Sequence, residues 1–388
     1  DYYAIPLYST CISCISAEER KMLNLNVLYL INYAGKAGTE KYVENLIRIL
    51  GKNKINPFFA YNIEGELSQK MREASVPSLQ ISMGKLSVFS AAKRLAEYCR
   101  ENRIDVIHAQ YPRENIIALL SKRYYDTPKV VMTNHLTLRL EGFSGKVWRA
   151  LNRHFTPKNH CIIAVCNEGR DIMIENGVMP ERVEVIFNGI EPAGKPIKSH
   201  SIRKELGLSD DCFIMTILAR FAPEKGLDFL LDSLAELKKI TDKPFCCLVC
   251  GDGELFSDIK DKVSELSLEG ECRLLGYRTD TKEILLGSDA YLCSSSKNEA
   301  MSFAILEAMN AGLPLVVTDV GGNRDLAETF IQCGFVSEYG NTRDFAEKIS
   351  LLINDNALRD KFSSAAIEKI EKHFDLYKLA EAVYNAYN

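Results

Sequence analysis

The stretch "AYLCSSSKNEAMSFAILEAMNAGLPLVVTD", residues 290–319, decides the fold. It opens on a short apolar run ending in serines, passes through a polar loop and enters "FAILEAMNAG", where apolar residues recur at helical spacing. It closes on a proline and a second apolar run, "PLVVTD". A strand, a helix and a strand in immediate succession imply parallel strands with a crossover helix packed on the sheet.

Upstream, the same rhythm runs through "CFIMTILAR" (212–220), a helix over "LDFLLDSLAELKKI" (227–240), "FCCLVCG" (245–251), a helix over "LFSDIKDKVSEL" (255–266), "CRLLG" (272–276) and a helix over "TKEILLGS" (281–288). Before it, "NGIEPAGKPIKSHS" (188–201) breaks the pattern with glycine, proline and polar residues, the composition of a domain boundary. A second alternating series precedes that break. Its strands read "NVLYLIN" (26–32), "NPFFAYN" (56–62), "DVIHAQ" (105–110), "KVVMTNH" (129–135), "CIIAVC" (161–166) and "VEVIFNG" (183–189). The expectation is an α/β chain of two Rossmann-like, doubly wound parallel-sheet domains facing a central cleft, where such folds bind nucleotides. The expected divisions are an N-terminal extension at 1–21, an acceptor-side domain at 22–190, a donor-side domain at 191–372 and a returning C-terminal helix at 373–388. A length of 388 residues suits two cores of ordinary size.

Composition excludes several classes. With 46% hydrophobic and 26% charged residues the chain is neither disordered nor fibrous, and no apolar run reaches the ~18 residues of a membrane span. Three of the twelve cysteines sit in "FCCLVC", where alternate strand residues face opposite ways and cannot converge on one metal. Cys11 and Cys14 form a lone C-x-x-C without a second pair, so the expectation is free core thiols, no metal site and no cofactor. The net charge of −4 is uneven: residues 22–190 hold 23 Lys and Arg against 16 Asp and Glu, while residues 191–388 hold 23 against 33. A basic first half suits an anionic acceptor or membrane surface. Residues 1–20 make a poor secretion signal, which points to a cytoplasmic protein.

Chemistry gathers in the second half. Glu299 lies in the loop after "AYLCSS", and Glu307 sits inside the following helix. The turn and helix start at Ala300, Met301, Ser302 and Phe303 offer unpaired N–H groups to diphosphate or sugar oxygens, and a carboxylate accepts bonds from two vicinal hydroxyls. Arg220 ends one strand and Lys225 follows in the loop to the next helix, two cations suited to a diphosphate that gains charge as its bond to a sugar breaks.

Together with "GDGE" (251–254), "LLGYRTD" (274–280) and "GLPLVVTDVGG" (312–322), these residues resemble the retaining glycosyltransferases of family 4, which have the GT-B fold. The resemblance implies that Arg220 and Lys225 hold the diphosphate, Glu307 the ribose, and Glu299 the donor sugar. It extends to "AGKAGTEKYVENL", where Gly38, Thr39 and Glu40 match the family's glycine-containing loop, and to His135, matching a histidine that faces the donor sugar. His108 reads as structural. "VIFNGIEP" matches the hinge, and "HFDLYKLAEAVYNAY" the helix that braces the first domain. Ala300-Met301-Ser302 departs from the glycine-containing tripeptide of many members, which bears on which sugar hydroxyls are read.

The activity so implied moves a hexose-type sugar from a nucleotide-sugar to a glycan or lipid-linked acceptor, with retention and without a metal, in cell-surface polysaccharide or glycolipid synthesis. Base recognition is expected near Tyr277 and Arg278. A dehydrogenase would need G-x-G-x-x-G after the first strand, which is missing. A sugar-nucleotide epimerase of the same fold, or a non-catalytic nucleotide-sugar binding protein, is the alternative; no nucleic acid is expected as a partner. "RLEGFSGKVWRALNRHFTPKNH" (139–160) is basic and amphipathic and holds the single tryptophan. Either Trp148 packs on the sheet, or this helix touches an anionic membrane face.

Overall fold

The computed structural model describes residues 24–84 and 86–388. The expectations for residues 1–21, Cys11 and Cys14 included, therefore lie outside the described residues. The first domain contains β1 (Leu25–Tyr33), α1 (Gly38–Leu50), β2 (Ile55–Ile63), α2 (Glu66–Glu73), β3 (Ser78–Gln80), α3 (Val88–Glu101), β4 (Val106–Ala109), α4 (Pro112–Ser121), β5 (Lys129–Asn134), α5 (Gly142–Phe155), β6 (Cys161–Ala164), α6 (Asn167–Glu175) and β7 (Val183–Val185). After α7 (Ser201–Glu205) the second domain follows as β8 (Phe213–Leu218), α8 (Leu227–Ile240), β9 (Phe245–Cys250), α9 (Phe256–Glu265), β10 (Cys272–Gly276), α10 (Thr281–Leu286), β11 (Ala290–Cys293), α11 (Phe303–Asn310), β12 (Leu315–Thr318), α12 (Asn323–Ala327) and β13 (Gly334–Ser337). Three helices close the chain: α13 (Thr342–Asn354), α14 (Asn356–His373) and α15 (Leu376–Asn385).

The first sheet has the order β3-β2-β1-β4-β5-β6-β7 and the second β10-β9-β8-β11-β12-β13. In each, the chain moves outward from a first strand and then returns to build on its other side. That switch point splays the connections apart and opens a crevice at the carboxyl ends of the strands. The central strands β4, β9, β11 and β12 are buried on both faces, as crossover helices require. In β9, every residue is buried; Cys247 joins the core on one side of the sheet, and Cys246 and Cys250 the core on the other. All ten described cysteines are free. The short edge strands β3 and β13 are the two strands that the sequence pattern does not mark.

The chain crosses between the domains twice. Ile190 pairs with Asp375, its N–H reaching Phe374 O at 2.9 Å, and the N–H of Leu376 returns to Ile190 O at 3.0 Å. Beyond that crossing α15 buries Leu376, Leu379, Val383 and the adjoining Tyr387 in the core of the first domain, beside β1 and α1.

Candidate functional site

β8 and β11 are hydrogen-bonded neighbours, so the loops leaving their carboxyl ends meet. From the first loop Lys225 places Nζ 2.6 Å from Glu299 Oε2 on the second. The same oxygen accepts the Ser295 hydroxyl at 2.8 Å. Backbone contacts stitch the loops together: Ser294 Oγ donates to Lys225 O and the N–H of Ser296 to Glu224 O, both at 2.8 Å. Glu299 is buried, and a buried carboxylate persists only with a partner of this kind. Burial opposes the charge of Lys225, yet the adjacent Glu299 outweighs it and raises the ammonium's pKa above its ordinary value. Arg220, in contrast, is exposed and reaches to Glu224 at 2.6 Å rather than to Glu299.

The turn from Glu299 to Ser302 is clamped from behind. Gly321 has φ +59° and lies so close that a Cβ there would fall 1.3 Å from Glu299 O. The N–H of Gly322 donates to Ala300 O at 2.7 Å, and Asn188 Nδ2 to Met301 O at 3.4 Å. Ala300 and Met301 are buried, and Ser302 precedes α11 without capping it through its side chain. The first-turn N–H groups of α11 are accordingly left for another acceptor.

Across the cleft stands the start of α1, likewise without a side-chain cap. Gly38 is its first residue, and a Cβ there would meet the ring of Phe303, the first residue of α11, at 3.4 Å. That is ordinary contact. One turn into α1, Lys41 carries its ammonium to 2.5 Å from Glu307 Oε1 and 5.1 Å from the centre of the Phe303 ring. Thr137 Oγ1 donates to Glu299 O at 3.4 Å. Glu307 thus meets the first domain through its carboxylate, and Glu299 through its backbone carbonyl.

His135 leaves β5 between the edges of the Tyr42 and Tyr111 rings, whose centroids lie 4.9 and 5.7 Å away. Its Nε2 sits 3.1 Å from Gln110 Oε1, and Gln110 spends its amide N–H on His108 O, so His135 is the donor of that pair. Burial pushes the His135 pKa down to about 3, which keeps the imidazole neutral. Thr39 and Tyr111 share a hydroxyl contact of 2.6 Å beside it. His108 is fully buried between Tyr387 Oη and Thr133 Oγ1, at 2.8 and 2.7 Å, and binds α15 to the sheet.

The structure therefore brings Lys225, Glu299, Ala300, Met301, Ser302, Phe303, Glu307 and Gly38 to one cleft, with His135 on its first-domain wall. Arg220 stands at the rim. Tyr277 is exposed, and Arg278 is bound to Glu205 and Asp280 at 2.7 and 2.6 Å. Two residues join the site that sequence reasoning overlooked. Lys41 directly follows the Gly38–Glu40 match, and Ser295 lies in the same loop four residues before Glu299; proximity to a quoted motif was the available signal. Trp148 on α5 is half-buried over the ends of the first sheet, while Phe143 and Val147 on the same helix remain exposed. Among the described residues no three His, Cys, Asp or Glu side chains gather as metal ligands, and no helix is long and apolar enough to cross a membrane.

Comparison with known proteins covers both halves. Residues 37–193 match the family model Glycosyltransferase Family 4, and residues 198–369 match Glycosyl transferases group 1. The chain is 27% identical over 333 residues to the Escherichia coli UDP-Gal:alpha-D-GlcNAc-diphosphoundecaprenol alpha-1,3-galactosyltransferase, covering 83% of this chain and 84% of that one. It is 24% identical over 322 residues to the Bacillus anthracis N-acetyl-alpha-D-glucosaminyl L-malate synthase, covering 79% and 82%. The crystal structure of Anabaena Alr3699/HepE in complex with UDP superposes with a TM-score of 0.82 at 20% identity, covering 93% of this chain and 99% of that one.

Proposed function

The chain belongs to the family 4 glycosyltransferases, and from that premise we propose that it transfers a hexose-type sugar, with retention, from a nucleotide-sugar in the interdomain cleft to an acceptor held by the first domain. One observation carries the reading: the uncapped N-termini of α1 and α11, one from each domain, adjoin at Gly38 and Phe303. Two helix N-termini at one point bring positive potential to where a diphosphate would lie, that of α1 offset in part by the Glu40 carboxylate in its first turn.

In this reading the donor's diphosphate rests on the first turn of α11 and on Lys225, with Arg220 turning from Glu224 to meet it. Glu307 accepts the ribose hydroxyls, and Lys41 holds that carboxylate towards the cleft. Glu299, fixed by Lys225 and Ser295, accepts a hydroxyl of the donor sugar, and neutral His135 lies against the same sugar. Both carboxylates being occupied in recognition, the acceptor hydroxyl attacks the anomeric carbon from the face that the diphosphate leaves. The bond to the leaving phosphate oxygen breaks, the bond to the acceptor oxygen forms, and the acceptor's proton passes to that phosphate oxygen. Charge growing on the diphosphate is met by Lys225, Arg220 and the helix dipole, without a metal. The exposed Phe143 and Val147, with Lys146 and Arg153 beside them, suit peripheral contact with an anionic membrane face; co-sedimentation with anionic vesicles in low salt checks that contact.

The test is a thermal-shift screen across UDP-, GDP-, ADP- and dTDP-sugars. At 100 times its Kd a donor stabilises the fold by ~2.7 kcal/mol, and the donor so found should release its nucleotide when an acceptor is supplied. Interconversion of the nucleotide-sugar without transfer would mean an epimerase; no shift with any of the four would remove the reading.

A further inference from the structure

We propose that a cavity beneath α5 is the acceptor subsite and that it selects an amphipathic acceptor, a sugar whose hydroxyl meets Asn134 and whose attached alkyl or isoprenyl chain lies against Trp148. The inference rests on the glycosyltransferase reading and adds the acceptor class, which kinship leaves open: one relative is named for a diphosphoundecaprenol-linked acceptor, the other for L-malate.

The cavity encloses about 600 Å³ at the carboxyl ends of β1, β4 and β5, in the range of sites that hold a small organic molecule. It opens beside the cleft, since Ala37 and Glu40 at the start of α1 belong to its wall, and Asn134 immediately precedes His135. A group bound here is within reach of a sugar facing His135.

Its walls are apolar: Leu136, Leu138 and Leu140 from the loop after β5, Trp148 from α5, Met173 from α6, and Val178 beyond it. Polar groups among them are mostly engaged. Asn176 accepts the N–H of Leu140 at 3.0 Å and donates to Leu138 O at 2.8 Å, and Asn152 donates to Asn176 O at 2.9 Å. Asn134 is the exception. Its Nδ2 donates to Leu136 O at 2.9 Å, which fixes the amide's orientation, and leaves Oδ1 buried without a partner. A buried carbonyl oxygen of this kind calls for a donor, and a sugar hydroxyl supplies one.

A small dianionic acceptor would meet two buried carboxylates in this wall and a single cation, the exposed Arg113. Glu40 and Glu114 are both buried in it, and burial pushes their carboxyls up, offset in part by the backbone N–H groups of Gly35 and Ala37 for the first and of Asn32 for the second. An apolar chain meets no such penalty. Leu136 and Leu138 line the cavity and are also exposed, so the apolar surface continues outward towards Phe143 and Val147 and gives the chain an exit.

Trp148 is the chain's single tryptophan and reports on the cavity directly. Octyl β-D-glucoside, titrated below its micellar concentration, should shift Trp148 emission to the blue with saturation, while methyl β-D-glucoside should not. Farnesyl β-D-glucoside distinguishes an isoprenyl from an alkyl preference by its affinity. Asn134→Leu should weaken the octyl glucoside response at least tenfold, and Leu138→Glu, at an exposed position that folding tolerates, should abolish it. Donor stabilisation measured by thermal shift should persist in both variants. An equal response to octyl and methyl glucosides, or an octyl response that neither variant alters, would overturn the proposal. Absence of donor binding by the unaltered chain would instead fail the glycosyltransferase reading on which it rests.

Discussion

Glu307 is pulled two ways, by Lys41 and, in the proposed complex, by ribose. The ion pair is part-exposed on both sides, and pairs of that kind contribute at most about 1 kcal/mol, so a ribose can displace it. A carboxylate bonding two hydroxyls contributes more, about 1.5–3 kcal/mol. Glu307→Ala should therefore raise the donor nucleotide's Kd roughly tenfold to a hundredfold by calorimetry; an unchanged Kd in a folded variant would contradict the role. Lys225→Ala should lower kcat more than donor affinity, because charge grows on the leaving group only as the bond breaks. A change confined to KM would exclude that role. His108 gives a pH prediction. Burial lowers its folded pKa to about 3 against 6.5 in the unfolded chain, so below pH 6.5 the unfolded state takes up the proton first. Its contribution is complete above pH 6.5 and is lost as pH falls towards 3. Between pH 7 and pH 5 the loss is about 2 kcal/mol, and urea midpoints of His108→Asn should be flatter over that interval than those of the unaltered chain.

Two elements matter beyond their own residues. Helix α15 is last in sequence but belongs to the first domain's core, and Tyr387 just after it ties Tyr29 and His108 together at 3.2 and 2.8 Å. Removing the hydroxyl in Tyr387→Phe leaves two buried polar groups unpaired and should cost about 1–3 kcal/mol in chemical denaturation. The turn at Gly321 works on the donor side. With φ +59° and the Glu299 carbonyl where a side chain would begin, Gly321→Ala must move the 299–302 turn off its seat. Donor binding should fall with it, even where the rest of the domain melts as before.

For the whole molecule, catalysis depends on two sheets meeting across one cleft. The proposed route neutralises the leaving diphosphate with Lys225, Arg220 and paired helix N-termini, so EDTA should leave turnover intact. Loss of turnover in EDTA that magnesium or manganese restores would refute the metal-free route.

Much of this was legible in the chain itself, for identifiable reasons. Alternating apolar runs and helical periods marked most of the strands of two parallel sheets, because strands buried on both faces must be apolar throughout. Local motifs placed Lys225, Glu299, Glu307 and Gly38, because a strand end, a turn and a helix start are each set within a few residues. What packing brings together over long separations in the chain was not legible. Lys41 against Glu307, the neighbouring starts of α1 and α11, and the cavity under Trp148 join residues far apart in sequence, and no period or spacing encodes such meetings. The unpartnered oxygen of Asn134 belongs to the same class, since burial is a property of the packed chain. Sequence determined the two sheets and the charges at their strand ends, because those follow from local chemistry; tertiary packing alone decided which groups face one another across the cleft and which are left without a partner.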